Sequence, residues 1–156
     1  MGLYSNSIKS LKDLKKGDKI GIPNNPSNEY RALKLLEVNG LIKLKDGLKD
    51  YSATPDDIVE NKLNLEFIET DAPQLPRSLD DLAAAVINTN LVIDAGIDTD
   101  SAIVREDSDS DYANIVVVRK GDSDRKEIKE LIKALQSDDV KKFIKEEYGS
   151  AVVPAF

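Results

Sequence analysis

The residues best equipped for chemistry crowd one short stretch, Gly21-Ile22-Pro23-Asn24-Asn25-Pro26-Ser27-Asn28-Glu29-Tyr30-Arg31. It reads as a turn that closes an apolar strand, opens a helix and sends an Arg out of the first helical turn. Ser27 and Asn28 are both suited to the N-cap, so unpaired backbone N–H groups and a guanidinium would address one spot. Such a spot seats a carboxylate or a phosphate. The bland alternative is an ordinary Pro-Asn turn with Arg31 on a solvated helix face. A second polar group, Asn88-Thr89-Asn90, follows the apolar run Ala83-Ala84-Ala85-Val86-Ile87. In open α/β sheets ligands bind beyond the carboxyl ends of the strands, and both groups fall at such ends. A third candidate is Glu106-Asp107-Ser108-Asp109-Ser110-Asp111, with oxygens at alternate positions as in a calcium loop. It fails where the loop needs a Gly and a bidentate Glu, since Tyr112 and Val118 stand there. It is read as an acidic solvated loop, and no metal site is expected.

The elements that must position these residues follow from pattern. Gly2 to Ile8 is a possible strand and Ser10 to Lys15 a small helix. Lys16-Gly17-Asp18 turns into the strand Lys19 to Ile22. The helix Asn28 to Val38 carries Ala32, Leu35 and Leu36 on one face and stops at Asn39-Gly40. Leu41 to Leu44 is extended. Thr54 caps a short helix with Pro55 at its first position, ending near Asn61. Leu65 to Glu69 alternates as a strand, Ala72 to Ser78 is a loop or broken turn, and Leu79 to Leu82 a helical step. Ala83 to Ile87 is a strand covered on both faces in a parallel sheet. Leu91 to Ala95 is a helix halted by Gly96. Tyr112 to Arg119 is a second apolar strand. The amphipathic helix Lys126 to Gln136 turns Ile128, Leu131, Ile132 and Leu135 inward. Ser137-Asp138 caps a last helix through Tyr148. Strands and helices alternate, so the fold class is α/β.

Composition narrows the function. A chain of 156 residues, 40% hydrophobic and 33% charged, can bury a core and is neither disordered nor membrane-spanning. The net charge of −7 repels polyanions, which excludes nucleic acid and anionic membrane surfaces as expected partners. With no Cys and no His, thiol nucleophiles, disulfides, His bases and the usual zinc sites are excluded. No apolar run reaches the roughly 20 residues of a membrane span, and Met1-Gly2-Leu3-Tyr4 does not read as a signal peptide.

Several blocks together resemble the methionine-binding lipoproteins of the NlpA type, the substrate-binding components of methionine ABC importers. They are Pro23-Asn24-Asn25-Pro26-Ser27-Asn28 with Arg31-Ala32-Leu33, Gly40 to Gly47, Ala72-Pro73-Gln74-Leu75-Pro76-Arg77-Ser78, Val86-Ile87-Asn88-Thr89 and Gln136-Ser137-Asp138. The resemblance runs from about Tyr4 to Phe156. It implies a three-layer αβα lobe of a type II periplasmic-binding-protein-like fold with a mostly parallel sheet. Residues 1–111 would form the ligand-binding lobe, and 112–156 the returning crossing strand and C-terminal helices that join the other lobe. The resemblance further implies that Arg31, Asn88 and Asn114 hold the ligand, with Asn28 supporting the turn and Asn90 a lesser candidate. A bidentate guanidinium suits an α-carboxylate, and Asn side chains suit the ammonium or the carboxylate. Tyr30 stands where the family has a small residue, and Asn25 where it has Asp.

The implied ligand is methionine with no cofactor, and the implied partner is the transporter permease. The implied location is extracytoplasmic, on a lipid anchor whose Cys this stretch lacks. The aromatic wall of the first lobe is also lacking, so an excised portion is expected. Two alternatives stand beside this reading. One is a self-associating α/β assembly module that has lost ligand binding; a homodimer, by edge pairing or exchange of the C-terminal segments, is expected of the chain itself. The other is an enzyme, which needs two carboxyl groups of separated pKa in one cleft. No spacing places such a pair, so the expectation is no enzyme.

Overall fold

The structure, a computed structural model, describes residues 1–156 apart from 50 and 107–111. The chain divides into two units, Met1–Glu106 and Asp107–Phe156.

The first unit is built on a five-stranded sheet. Its strands are β1 (Gly2–Tyr4), β2 (Lys19–Pro23), β5 (Glu66–Thr70), β6 (Ala84–Ile87) and β7 (Val104–Arg105), in the order β5-β2-β6-β1-β7. The core pairs β2·β5 and β2·β6 are parallel, with Ile20 opposite Ala84 and Gly21 opposite Ala85. The flanking pairs β1·β6 and β1·β7 are antiparallel. The sheet is therefore mixed and mostly parallel at its core. A two-stranded ribbon, β3 (Lys43–Leu44) with β4 (Ile58–Glu60), lies apart from it in pairing.

Alternation along the strands explains the layers. Leu3, Ile20, Ile22, Ala84 and Val86 pack with Leu33 and Leu36 of helix α1 (Pro26–Val38). Tyr4, Ala85 and Ile87 pack with Leu75, Leu79 and with Val92 of helix α2 (Thr89–Asp94). All four residues of β6 are fully buried, as a run covered on both faces requires. On the second face Gly21 makes close approach possible. A Cβ there would come within 2.7 Å of Leu82 Cδ1 and 2.9 Å of Leu75 Cδ2.

Several local expectations are corrected. Helix α1 is capped by Asn25 rather than by Ser27 or Asn28, because Pro26 takes the first helical position and holds Asn25 extended. Past Thr54 there is one 3-10 turn, Pro55–Asp57, closed by a reciprocal Thr54/Asp57 capping box, and then β4 instead of a helix to Asn61. Ala72 to Asp81 forms one continuous 3-10 segment, anchored by buried Leu75 and Leu79.

The second unit carries helices α3 (Lys126–Leu135) and α4 (Asp138–Tyr148), the latter capped by Ser137, whose Oγ accepts from Val140 N–H at 3.3 Å. Tyr112 to Arg119 forms no strand. Ile115 and Val117 are 78% and 80% exposed. The run has strand propensity, yet it enters no sheet among the described residues, and an unpaired ladder gives a strand nothing to hold it. No helix among the described residues is long and apolar enough to cross a membrane.

Candidate ligand site

Parallel pairing of β2 and β6 brings the two polar turns together, because both strands end on the same side of the sheet. β2 ends at Pro23 and leads into α1, while β6 ends at Ile87 and leads into Asn88, the N-cap of α2. Asn88 Nδ2 donates to Asn28 Oδ1 at 3.1 Å. Asn28 Nδ2 in turn donates to Asn25 Oδ1 at 3.2 Å, and Asn25 Nδ2 donates to Ser27 Oγ at 3.3 Å. The Asn25 side chain is thus spent on this chain of amides and makes no capping bond. Asn28 and Arg31 lie three residues apart on α1, hence on one helix face. Asn28 and Asn88 are therefore joined, with Arg31 one turn along α1 from Asn28.

Asn88 keeps one atom in reserve. Its Oδ1 is buried and has no hydrogen-bond partner among the described residues. An unpaired buried acceptor costs on the order of 1 to 3 kcal/mol, and a donor arriving from outside would recover it. Asn90 is exposed on the short helix α2. Asn114 lies in the second unit, exposed and outside regular structure.

The Arg31 guanidinium meets a carboxylate from its own chain. Nε donates to Glu106 Oε1 at 2.6 Å and Nη2 donates to Oε2 at 2.5 Å, with the side chains 21% and 14% exposed. Glu106 Oε2 also accepts from the Met1 nitrogen at 2.9 Å. Burial alone would raise the Glu106 pKa, but the bonds from Arg31 and Met1 outweigh it and hold the carboxyl below its usual range. Glu106 was expected in a solvated loop and is instead a partly buried partner of Arg31. The rest of that loop, 107–111, lies outside the described residues.

A second carboxyl group missed by pattern is Glu29, buried in the first turn of α1. Burial, then repulsion from Glu69 and the hydrogen bond shared with it, then Asp57, push Glu29 up to about 7. Its Oε1 has no partner among the described residues. Helical spacing did point there, since Glu29 shares the side of Ala32, Leu33 and Leu36, all fully buried.

Sheet order, layers and the polar turns at the strand ends define an α/β lobe of the periplasmic substrate-binding class. Similarity to solved structures bears this out. A nutrient-binding protein from Burkholderia cenocepacia bound to methionine matches 99% of this chain and 66% of its own, with 49% identity and a TM-score of 0.85. An ABC transporter periplasmic substrate-binding protein from Coxiella burnetii matches 99% and 65%, with 46% identity and a TM-score of 0.85. Among curated proteins, the D-methionine-binding lipoprotein MetQ of Salmonella typhi is 48% identical over 140 residues, 88% of this chain and 51% of that protein. The NlpA lipoprotein family model matches residues 1–156, and the chain belongs to that family. It spans about half the length of the curated relatives it matches.

Proposed function

We propose that this chain is the second lobe, with its C-terminal return, of a methionine-binding component of an ABC importer. The observation that carries the reading is the Asn88–Asn28 hydrogen bond where β2 and β6 end side by side, with Arg31 one turn along α1. Arg31 takes the ligand carboxylate, and Asn88 Oδ1, the buried acceptor without a partner, takes the ammonium. Asn28 fixes the Asn88 amide. Asn90 is a lesser contributor. The site binds rather than catalyses and uses no cofactor. In the whole protein the partners are methionine and the transporter permease, on an extracytoplasmic lipid anchor. The names of the relatives, methionine-binding lipoproteins and a methionine-bound nutrient-binding protein, support this assignment.

Calorimetric titration with L-methionine against L-alanine tests it. Methionine binds more tightly, and Arg31→Ala removes binding by at least about 100-fold, as expected for loss of a charge-assisted bidentate partner. Equal affinity for both amino acids, or binding unchanged in Arg31→Ala, contradicts the assignment.

A second reading is self-association. The second unit leaves Ile115, Val117, Leu131, Leu135 and Phe143 at 44% to 80% exposure, an apolar surface that a second copy would cover. Light scattering on the same sample distinguishes a 17.2 kDa monomer from a homodimer.

A further inference from the structure

An amide side chain has one accepting end and one donating end, so a row of hydrogen-bonded amides has a direction, and turning one over turns them all. Three amides make such a row across the strand ends. Asn25 Oδ1 accepts from Asn28 Nδ2 at 3.2 Å, and Asn28 Oδ1 accepts from Asn88 Nδ2 at 3.1 Å. In this direction the accepting end of Asn88, its buried Oδ1, is left over for a ligand. The reverse direction would leave its NH2 group there, a donor facing a donor if the ligand brings an ammonium. Ser27 does not decide between the two. Asn25 Nδ2 donates to Ser27 Oγ at 3.3 Å, but a hydroxyl can donate as well as accept.

The backbone fixes both ends of the row. The Asn25 carbonyl accepts from Glu29 N–H at 2.9 Å, and the Asn88 carbonyl accepts from Leu91 and Val92 N–H at 3.0 and 3.2 Å. The sense of each amide is what the side chains themselves must settle. An N-cap Asn ordinarily spends its side-chain oxygen on a helix N–H. Asn25 makes no such bond and gives that oxygen to Asn28.

We infer that Asn25 is a positioning residue for the ligand site, its Oδ1 setting the direction of the amide row and so turning Asn88 Oδ1 towards the ligand ammonium. This rests on the reading that Asn88 takes the ammonium. The role is one of selection rather than of contact. A ligand without an amine gains nothing from the direction of the row, so loss of Asn25 shows in the choice between ligands.

The test uses the full chain, L-methionine, and γ-(methylthio)butyrate, which is the same molecule without its amine. Asn25→Asp keeps an accepting oxygen, removes the donating end and remains a good N-cap, so it permits only the observed direction. Asn25→Leu keeps the branched shape and removes the acceptor. By calorimetry the wild-type chain prefers L-methionine, Asn25→Asp keeps that preference, and Asn25→Leu lowers it by at least about 5-fold, as for a lost neutral hydrogen-bond partner. In nitrogen-15 spectra of the ligand-free chain, the Asn28 and Asn88 side-chain NH2 groups exchange with water faster in Asn25→Leu than in wild type or Asn25→Asp. The backbone amide pattern of β2, β6 and α1 stays in place in both variants. A wild-type preference that survives Asn25→Leu overturns this inference alone. So does a preference lost equally in Asn25→Asp, which marks a dependence on shape or charge rather than on direction. No preference in the wild-type chain overturns the ammonium assignment and this inference with it.

Discussion

Two apolar runs of similar composition meet opposite fates in this molecule. Ala84–Ile87 becomes β6, fully buried between β2 and β1, whereas Ile115-Val116-Val117-Val118 forms no strand and leaves Val117 80% exposed. The difference lies in the neighbours rather than in the residues. β6 finds a parallel partner on one side, an antiparallel partner on the other and apolar layers on both faces. The later run enters no sheet among the described residues. The same contrast separates the two units, since α1 buries Ala32, Leu33, Leu35 and Leu36 while α3 and α4 bury no residue. Amphipathic pattern states which face wants cover and is silent on who supplies it.

Paired truncations sharpen the comparison most. Leu33, with no exposed surface, loses about 2 to 5 kcal/mol as Leu33→Ala through lost transfer energy and a residual cavity. Val117→Ala costs less than about 0.5 kcal/mol, as expected for an exposed site. Urea unfolding followed by circular dichroism reads both. A comparable loss at the two positions would mean that Val117 is covered in solution, and would favour self-association.

The next effect is a pH dependence confined to the first unit. Burial beside Glu69 pushes folded Glu29 up to about 7, from the ordinary 4.5 of a glutamate in an unfolded chain. Below the lower value both states hold the proton and the contribution is fully present. As pH rises from 4.5 towards 7 the unfolded chain releases the proton while the folded one keeps it, so stability falls and levels off above 7. The loss is on the order of 3 to 4 kcal/mol, the gap between 4.5 and about 7 at about 1.4 kcal/mol per pKa unit. Glu37 and Glu106, held low by Lys34 and Arg31 against the effect of burial, act in the other direction and lose their contribution only below about pH 4.5. Stability therefore peaks near pH 5, and Glu29→Gln flattens its decline up to pH 8. Thermal melts across pH 4 to 8 check this, and a wild-type stability flat from 5 to 8 would contradict the burial of Glu29.

What was legible in the sequence follows the same division. The α/β order, the buried strand Ala84–Ile87, the Asn-rich turn with Arg31 and the placement of Asn88 beside it were all readable, because each rests on local pattern plus the rule that ligand turns lie at strand ends. The Arg31–Glu106 pair was not. It joins residues 75 positions apart, and Glu106 heads a run of acids that composition assigns to solvent. The capping residue of α1 was misplaced by two or three positions because Ser27 and Asn28 compete on propensity alone, whereas the geometry of Pro26 decides. The strand expected at Tyr112 to Arg119 failed for lack of a partner, which a single run of residues cannot reveal.

The most direct measurement is a crystal structure grown with L-selenomethionine as ligand, its selenium located by anomalous scattering. The expected result is a ligand carboxylate on the Arg31 guanidinium with its ammonium donating to Asn88 Oδ1. Selenium bound elsewhere, or ligand at the strand ends with its carboxylate turned away from Arg31, would contradict it.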